Sequence, residues 1–258
     1  MRTSESSNVI EFIGMMGAGK STIARNVQNL CIEAGFNSSD IKDIEKSFEN
    51  YLSVRSGFFD RLINRFKWSF FYSFVKYPKV SFYSLINALC MRPVNRTSIK
   101  RVVFICRYLG FVNYYNKLIS NNCNEVLIYE EAVLHGGLTL QLMYGYSFNQ
   151  RVCRCLIKSL LDVFDRNIVY VKSDPIVALK RNRLRNLFND ETPMNLYRYS
   201  SATPKEAEDL YIHYSTVLDF IADVCKEHCP KRFIEVDSNL NSPEENARYI
   251  FDRIQNGD

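Results

Sequence analysis

Short, mainly apolar runs recur along the chain, and longer segments with apolar residues at helical spacing separate them. The runs predict buried strands at residues 9–13, 125–129, 167–171 and 232–236. Amphipathic helices are predicted between them, for example at residues 147–165, and residues 36–43 favour a short second strand or a turn. Strands that alternate with helices indicate an α/β fold with a mostly parallel sheet and helices on both faces.

Local capping signals mark where several of these helices begin and end. Asp174 precedes a proline that can occupy the first helical position. Thr203 and Ser242 are each followed three residues later by a glutamate, which is the capping-box pattern. Gly35 supplies a stop for the helix that follows the first strand.

A glycine-rich segment follows the first predicted strand and leads into the first predicted helix. Residues 14–22 read GMMGAGKST, which matches the phosphate-loop pattern G-x-x-x-x-G-K-S in its expected context. Glycines let the backbone wrap around a phosphate, the lysine reaches the β- and γ-phosphates, and the serine hydroxyl ligates Mg²⁺. The predicted nucleotide-binding residues of this loop are Gly14, Gly17, Ala18, Gly19, Lys20, Ser21 and Thr22.

Length and composition fit one large domain over residues 1–258. Hydrophobic residues make up 47% of the 258 residues and charged residues 24%, so the chain can bury a sizeable core. The net charge of +5 suits a polyanionic ligand such as ATP, and it is too mild to indicate nucleic acid. Together with the loop at residues 14–22, the alternating strands and helices predict a P-loop NTPase three-layer fold, and the mild charge predicts no nucleic-acid partner.

A long segment at about residues 44–120 is predicted to be a mainly helical insert. It is rich in aromatic residues and in lysine and arginine, for example Arg61, Arg65 and Arg96. A basic amphipathic helix there could lie on a membrane surface or bind an anionic acceptor, and an ordinary helical subdomain with a solvated basic face is the alternative. Lys76, Pro78 and Lys79 interrupt its most apolar stretch, which argues against a transmembrane helix.

The N-terminal residues and the cysteines together indicate a reducing compartment. Residues 1–8 are polar and run directly into a strand, so they do not have the pattern of a secretory signal. The eight cysteines lack paired metal-ligand spacing, which favours reduced thiols. The expected location is the cytoplasm.

Carboxylates at the ends of two predicted strands are candidates for metal binding and catalysis. Glu130 and Glu131 follow the strand at residues 125–129, where an acidic residue would lie near Mg²⁺ and its water shell. Glu130 is favoured on the metal side and Glu131 for orienting or deprotonating the acceptor, although a solvated acidic pair would give the same pattern. Asp40 and Asp43 lie where the acceptor-activating carboxylate of nucleoside and nucleotide kinases is often found; that resemblance implies that either could be the general base, and the alternative is that both are turn residues.

The strand at 167–171, a turn with a proline and then a helix resemble the lid of nucleoside and nucleotide kinases, which implies a lid at about residues 174–200. Its helix carries Arg181 and Arg185 on one face at four-residue spacing, while Arg183 faces elsewhere. Arginines there could close over the transferring phosphoryl group and neutralise the charge on its oxygens. A basic, solvated helix end is the alternative interpretation.

The order of these elements resembles the nucleoside- and nucleotide-kinase branch of P-loop proteins. The resemblance rests on the loop at 14–22, the strand before Glu130, the lid segment and the strand and helix that start at Phe233. The last of these is similar to the end of thymidylate-kinase-like proteins, whose connecting loop borders the adenine. The segment IEFIG and the Glu-Glu-Ala sequence at 130–132 are similar to kinase-like proteins of bacterial surface-polysaccharide clusters.

The resemblance implies ATP and Mg²⁺ as cofactors and phosphoryl transfer to a hydroxyl of a small molecule or a glycan-linked acceptor. A nucleoside or nucleotide acceptor is an alternative, but the arginine that usually follows the acidic residue in those kinases is replaced here by Glu131. A second alternative is a regulatory NTP-binding ATPase whose insert binds a partner or membrane. A GTPase is disfavoured because residues 116–119 (NKLI) lack the final aspartate of the guanine-binding motif.

Overall fold

The computed structural model describes residues 9–40, 75–90, 125–130, 134, 149–163, 165–188 and 203–256. The strands are β1 (Val9–Gly14), β2 (Asn37–Asp40), β3 (Glu125–Tyr129), β4 (Asn167–Lys172) and β5 (Phe233–Asp237). The helices are α1 (Lys20–Glu33), α2 (Pro78–Cys90), α3 (Gln150–Val163), α4 (Pro175–Phe188), α5 (Pro204–His228) and α6 (Pro243–Asn256). A short 3₁₀ turn at Pro230–Arg232 leads into β5.

The five strands form one parallel sheet in the order β2-β3-β1-β4-β5. Strand β1 lies at the centre, with Glu11 opposite Tyr129 of β3 and Ile168 of β4. All five strands therefore end at the same edge of the sheet. The loop that follows β1 lies in the middle of that edge, between the ends of β3 and β4.

Helices cover both faces of the sheet, as the sequence predicts. The connection from β1 to β2 runs in one direction along the sheet and the connection from β4 to β5 in the other. Right-handed crossovers place such connections on opposite faces. The contacts agree, since α1 packs against α6, whereas α5 packs against α3 and α4, and α2 packs against α3. The predicted α/β fold with a parallel sheet between helical layers is confirmed.

The capping signals that the sequence contains are present in the structure at the starts of α4, α5 and α6 and at the end of α1. Asp174 accepts hydrogen bonds from the amides of Ile176 and Val177 at the start of α4. Reciprocal side-chain and backbone bonds make capping boxes at Thr203 for α5 and at Ser242 for α6. At the end of α1, Gly35 has φ 85° and its amide bonds the carbonyl of Ile32, while the next amide bonds that of Cys31, which completes a Schellman motif.

Several sequence predictions fall largely outside the residues that the structure describes. Of the insert predicted at 44–120, the described part includes α2, which packs on α3. Of the lid predicted at 174–200, the described part is α4. The domain organisation therefore stays a prediction. Within the described ranges, no helix is long and apolar enough to span a bilayer.

A buried ion pair in the core joins a residue of β1 to the residue that precedes β4. Glu11 is 0% exposed, and its Oε2 atom lies 2.8 Å from Nε of Arg166, which directly precedes β4 and is also buried. Its Oε1 atom accepts a hydrogen bond of 2.9 Å from the Leu134 amide. Burial raises the pKa of the Glu11 carboxyl, and the Arg166 guanidinium and the Leu134 amide act in the opposite direction. This pair ties the central strand to the start of its neighbour.

Glu11→Gln should lower the free energy of unfolding by about 3 kcal/mol, because it leaves the Arg166 guanidinium buried without its counter-charge. Urea denaturation of the wild type and the variant measures the difference. The control is Glu227→Gln, which breaks the exposed pair between Glu227 and Arg154 and should cost no more than about 1 kcal/mol. Equal losses in the two variants would contradict the assigned importance of the buried pair.

Candidate functional site

The loop between β1 and α1 has the backbone conformation that an anion-binding turn requires. Gly17 and Gly19 have φ values of 86° and 90°, in the left-handed region that favours glycine. Gly19 is the N-cap residue of α1 and no side chain caps this helix end. The amide of Ala18 bonds the Met15 carbonyl at 3.1 Å and so closes the loop on itself. An uncapped helix N-terminus attracts anions, because its amides and the helix dipole favour negative charge.

Lys20, the first residue of α1, lies folded back onto this loop. Its Nζ atom donates hydrogen bonds to the carbonyls of Gly14 at 2.8 Å and Met15 at 2.9 Å. The residue is only 6% exposed, so its positive charge lies within the loop rather than in solvent. Ser21 is half-buried and Thr22 exposed on the same first turn. The predicted phosphate-loop residues are thus gathered in one turn at the strand-end edge of the sheet.

The glycine at position 17 lies directly against the backbone of α4. A Cβ atom on Gly17 would lie 2.1 Å from the carbonyl oxygen of Ala178 and 3.2 Å from the amide nitrogen of Asn182. A contact of 2.1 Å is shorter than any that real Cβ atoms make, so any larger residue would force the loop and the helix apart. The phosphate-loop pattern therefore has a second, steric requirement for glycine here, beyond its left-handed conformation.

The predicted acidic residues lie at the same edge of the sheet where they are described. Glu130 is exposed and directly follows β3, the strand beside β1. Asp40 is the last residue of β2, on the far side of β3, and its side chain lies outside the described residues. Glu131 and Asp43 also lie outside them. The fold thus brings the ends of β2 and β3 to the loop, and the roles assigned to these carboxylates stay predictions.

The two predicted lid arginines both belong to α4, the helix that contacts Gly17. The exposed Arg181 guanidinium lies 3.5 Å from both the hydroxyl and the carbonyl oxygen of Ser238. Arg185 lies one turn further along α4, and its side chain is outside the described residues. Arg183 is also exposed. Arg181 therefore reaches towards the loop after β5, at the same edge of the sheet as the β1–α1 loop.

The loop between β5 and α6 is held in place by backbone and side-chain bonds. The Ser238 amide and hydroxyl both bond the Lys172 carbonyl at the end of β4, at 3.0 and 3.2 Å. Asp237 accepts a 2.7 Å bond from the Asn239 amide, and buried Asn246 of α6 donates to the Asp237 carbonyl at 3.2 Å. These bonds fix the loop at the strand-end edge of the sheet, and its predicted place beside a nucleotide base stays a prediction.

Two features of this region are absent from the sequence predictions. Asn182 of α4 donates a 2.6 Å hydrogen bond to the hydroxyl of Tyr211 on α5. The second is the bond between Arg181 and Ser238. Neither pair belongs to a local motif, because the partners are 29 and 57 residues apart.

Among the residues that the structure describes, no group of three or more histidine, cysteine, aspartate or glutamate side chains is placed to hold a metal.

No family model matches the chain, and no curated protein sequence does either. Solved structures with some similarity include deoxyadenosine kinase from M. mycoides with bound dATP, which is 15% identical, has a TM-score of 0.44 and covers 95% of this chain and 98% of that chain. The same enzyme with bound dCTP is 13% identical with a TM-score of 0.40, over 96% and 99% of the two chains. Shikimate kinase from Acinetobacter baumannii in complex with shikimate is 17% identical with a TM-score of 0.41, over 97% and 94%. Similarity at this level assigns no reaction and no substrate to the chain.

Gly17→Ala should destabilise the protein by about 2–4 kcal/mol, because the new methyl group collides with the Ala178 carbonyl and adds left-handed strain. Thermal and urea unfolding measure the loss. Gly35→Ala is a matched control, since Gly35 has φ 85° but nothing within 4 Å of its Cβ position. The control should lose only about 1 kcal/mol, which is the cost of the left-handed conformation alone. A loss at Gly17 no larger than that at Gly35 would contradict the contact with α4.

Proposed function

We propose that the chain is an ATP-dependent phosphotransferase that uses Mg²⁺ and transfers the γ-phosphoryl group to a hydroxyl. The acceptor is proposed to be a small molecule or a glycan-linked hydroxyl. The single observation that carries the proposal is the arrangement of Lys20. A buried ammonium group is held on a glycine loop, at an uncapped helix N-terminus, in the middle of the strand-end edge of a parallel sheet. That arrangement suits a polyphosphate, because it combines a fixed cation with helix amides.

The residues present fit a magnesium-bound triphosphate. The Ser21 hydroxyl, on the first turn of α1, would ligate Mg²⁺, and Glu130 would hold one of its waters. Lys20 would exchange its bonds to the Gly14 and Met15 carbonyls for bonds to the β- and γ-phosphate oxygens. When bound, the nucleotide supplies the transferable group, and the metal neutralises part of its charge.

The remaining residues supply position and charge rather than covalent chemistry. Arg181 and Arg185 on α4 would stabilise the negative charge that spreads over the transferring phosphoryl oxygens. Glu131 or Asp40 would orient the acceptor hydroxyl and take its proton. Since the five parallel strands all end at one edge of the sheet, phosphoryl donor and acceptor would meet there. The basic insert would shape the acceptor pocket. Its basic helices would also allow peripheral contact with a membrane surface.

The test of this function is ADP release from Mg-ATP by the purified protein, alone and with panels of acceptors. The panels contain nucleosides, nucleotides, sugars and sugar-lipid acceptors. A phosphotransferase should release ADP at least about tenfold faster with one class, because the bound acceptor replaces water as the nucleophile. Stimulation by nucleosides or nucleotides would redirect the acceptor assignment. Slow release that no panel accelerates, together with tight ATP binding, would contradict the proposed transfer and favour a regulatory ATPase.

Lys20→Ala should lower the affinity for Mg-ATP by about 10²-fold or more, because it removes the fixed positive charge that faces the phosphates. Isothermal titration calorimetry measures the affinity, and circular dichroism checks that the variant is folded. Lys231→Ala removes an exposed lysine just before β5, at the end of the sheet where the strands begin, and it should leave the affinity unchanged. A folded Lys20→Ala protein that binds Mg-ATP like the wild type would contradict the assigned phosphate site.

A further inference from the structure

The contact between the phosphate loop and α4 lies on one helical turn. Gly17 faces the Ala178 carbonyl and the Asn182 amide, which are the two ends of that turn. Helix α4 therefore forms a wall of the loop, and any shift of α4 would be passed to Gly17. What fixes α4 in place also determines the shape of the loop.

The side chain of Asn182, on this same turn, anchors α4 to the neighbouring helix. Its Nδ2 atom donates a 2.6 Å hydrogen bond to the hydroxyl oxygen of Tyr211 on α5. Tyr211 is only 1% exposed, and burial raises the pKa of its hydroxyl, which keeps the group protonated. Asn182 is half-buried, so an unpaired amide there would be costly.

Tyr211 is itself held rigidly in the core. Its ring packs edge-on against Tyr214, with the ring centroids 6.2 Å apart and the planes at 78°. Further along α5, Val217, Leu218 and Ile221 are buried in the same core. The Thr203 capping box fixes the start of this helix a few residues before Tyr211. The hydroxyl of Tyr211 is thus a fixed point on a rigid helix.

We propose that Tyr211 is a positioning residue that, through Asn182, holds α4 against the phosphate loop and directs Arg181 towards the site. The proposal rests on the phosphate site proposed above. Successive residues on a helix point about 100° apart, so a bond at Asn182 fixes the rotation of α4 and with it the direction of Arg181. The same bond keeps the Ala178–Asn182 turn in contact with Gly17.

A tyrosine that merely fills the core would have the same burial and the same aromatic contact. The two roles differ in what the loss of the hydroxyl alone would change. If Tyr211 only packs, Tyr211→Phe affects stability, whereas a positioning role also affects nucleotide binding and the protection of the loop. The comparison needs a second tyrosine whose hydroxyl ties α5 to another element and does not contact the loop.

Tyr170 of β4 provides that control. Its hydroxyl donates a 2.7 Å hydrogen bond to Asp219 of α5, so it links α5 to the sheet rather than to α4. Both Tyr170 and Tyr211 are buried. Phenylalanine at either position removes one hydroxyl and one hydrogen bond to the chain. Tyr170→Phe should lose at least as much stability as Tyr211→Phe, because the Tyr170 hydroxyl bonds a carboxylate, and yet it should leave the site unchanged.

Tyr211→Phe should weaken Mg-ATP binding about three- to tenfold and speed amide hydrogen exchange in residues 14–20 and 175–184. Tyr170→Phe should leave the affinity and the exchange of residues 14–20 at wild-type values. Calorimetry and hydrogen-exchange mass spectrometry provide the two readouts. In a double-mutant cycle, Asn182→Ala should add little to Tyr211→Phe, because either change breaks the same bond.

Unchanged affinity and unchanged exchange of residues 14–20 in folded Tyr211→Phe would overturn the positioning role. Equal effects of the two tyrosine variants on the loop, or additive effects in the cycle, would do the same. If the wild type itself binds no Mg-ATP, the proposed function fails. Hydrogen exchange then still decides whether Tyr211 holds the loop, because that readout needs no nucleotide.

Discussion

The structure at the strand-end edge depends on one steric constraint, the absence of room for a side chain at Gly17. The loop after β1 passes so close to α4 that a Cβ atom would lie 2.1 Å from the Ala178 carbonyl. This closeness joins three elements, β1, α1 and α4, at the place where Lys20 is held. The position of the loop cannot change without a change in α4, and α4 is tied in turn to α5 through Asn182.

Two sets of polar contacts hold the sheet, one within the core and one at the ends of the strands. Within the core, the Glu11–Arg166 pair joins the central strand to the residue that precedes β4. At the strand-end edge, Ser238 bonds the end of β4, and Asn246 bonds the end of β5. Buried charges are costly unless they are paired, so the first set favours one arrangement of the central strands. The second set gives Arg181 a fixed neighbour in Ser238.

The sequence is sufficient to predict the strands, the capped helices and the glycine turn between β1 and α1, because each depends on local spacing or on neighbouring residues. The hydrogen bond between Asn182 and Tyr211 cannot be predicted in this way, since the two residues are far apart in the chain and belong to no motif. Glu11 offers a weak signal, as an acidic residue inside an otherwise apolar strand, but the sequence does not identify Arg166 as its partner. The sheet order places Asp40 and Glu130 at the same edge of the sheet. Their roles cannot be predicted from the sequence, because those roles depend on which acceptor binds.

The proposed function depends on the binding of a magnesium-bound triphosphate by the loop at residues 14–22. The most direct measurement is hydrogen-exchange mass spectrometry of the wild-type chain with and without Mg-ATP, with sodium chloride at matched ionic strength as the salt control. The proposed binding predicts slower exchange in residues 14–22 and in α4 with Mg-ATP and little change with sodium chloride. Unchanged exchange in both segments at millimolar Mg-ATP would contradict it.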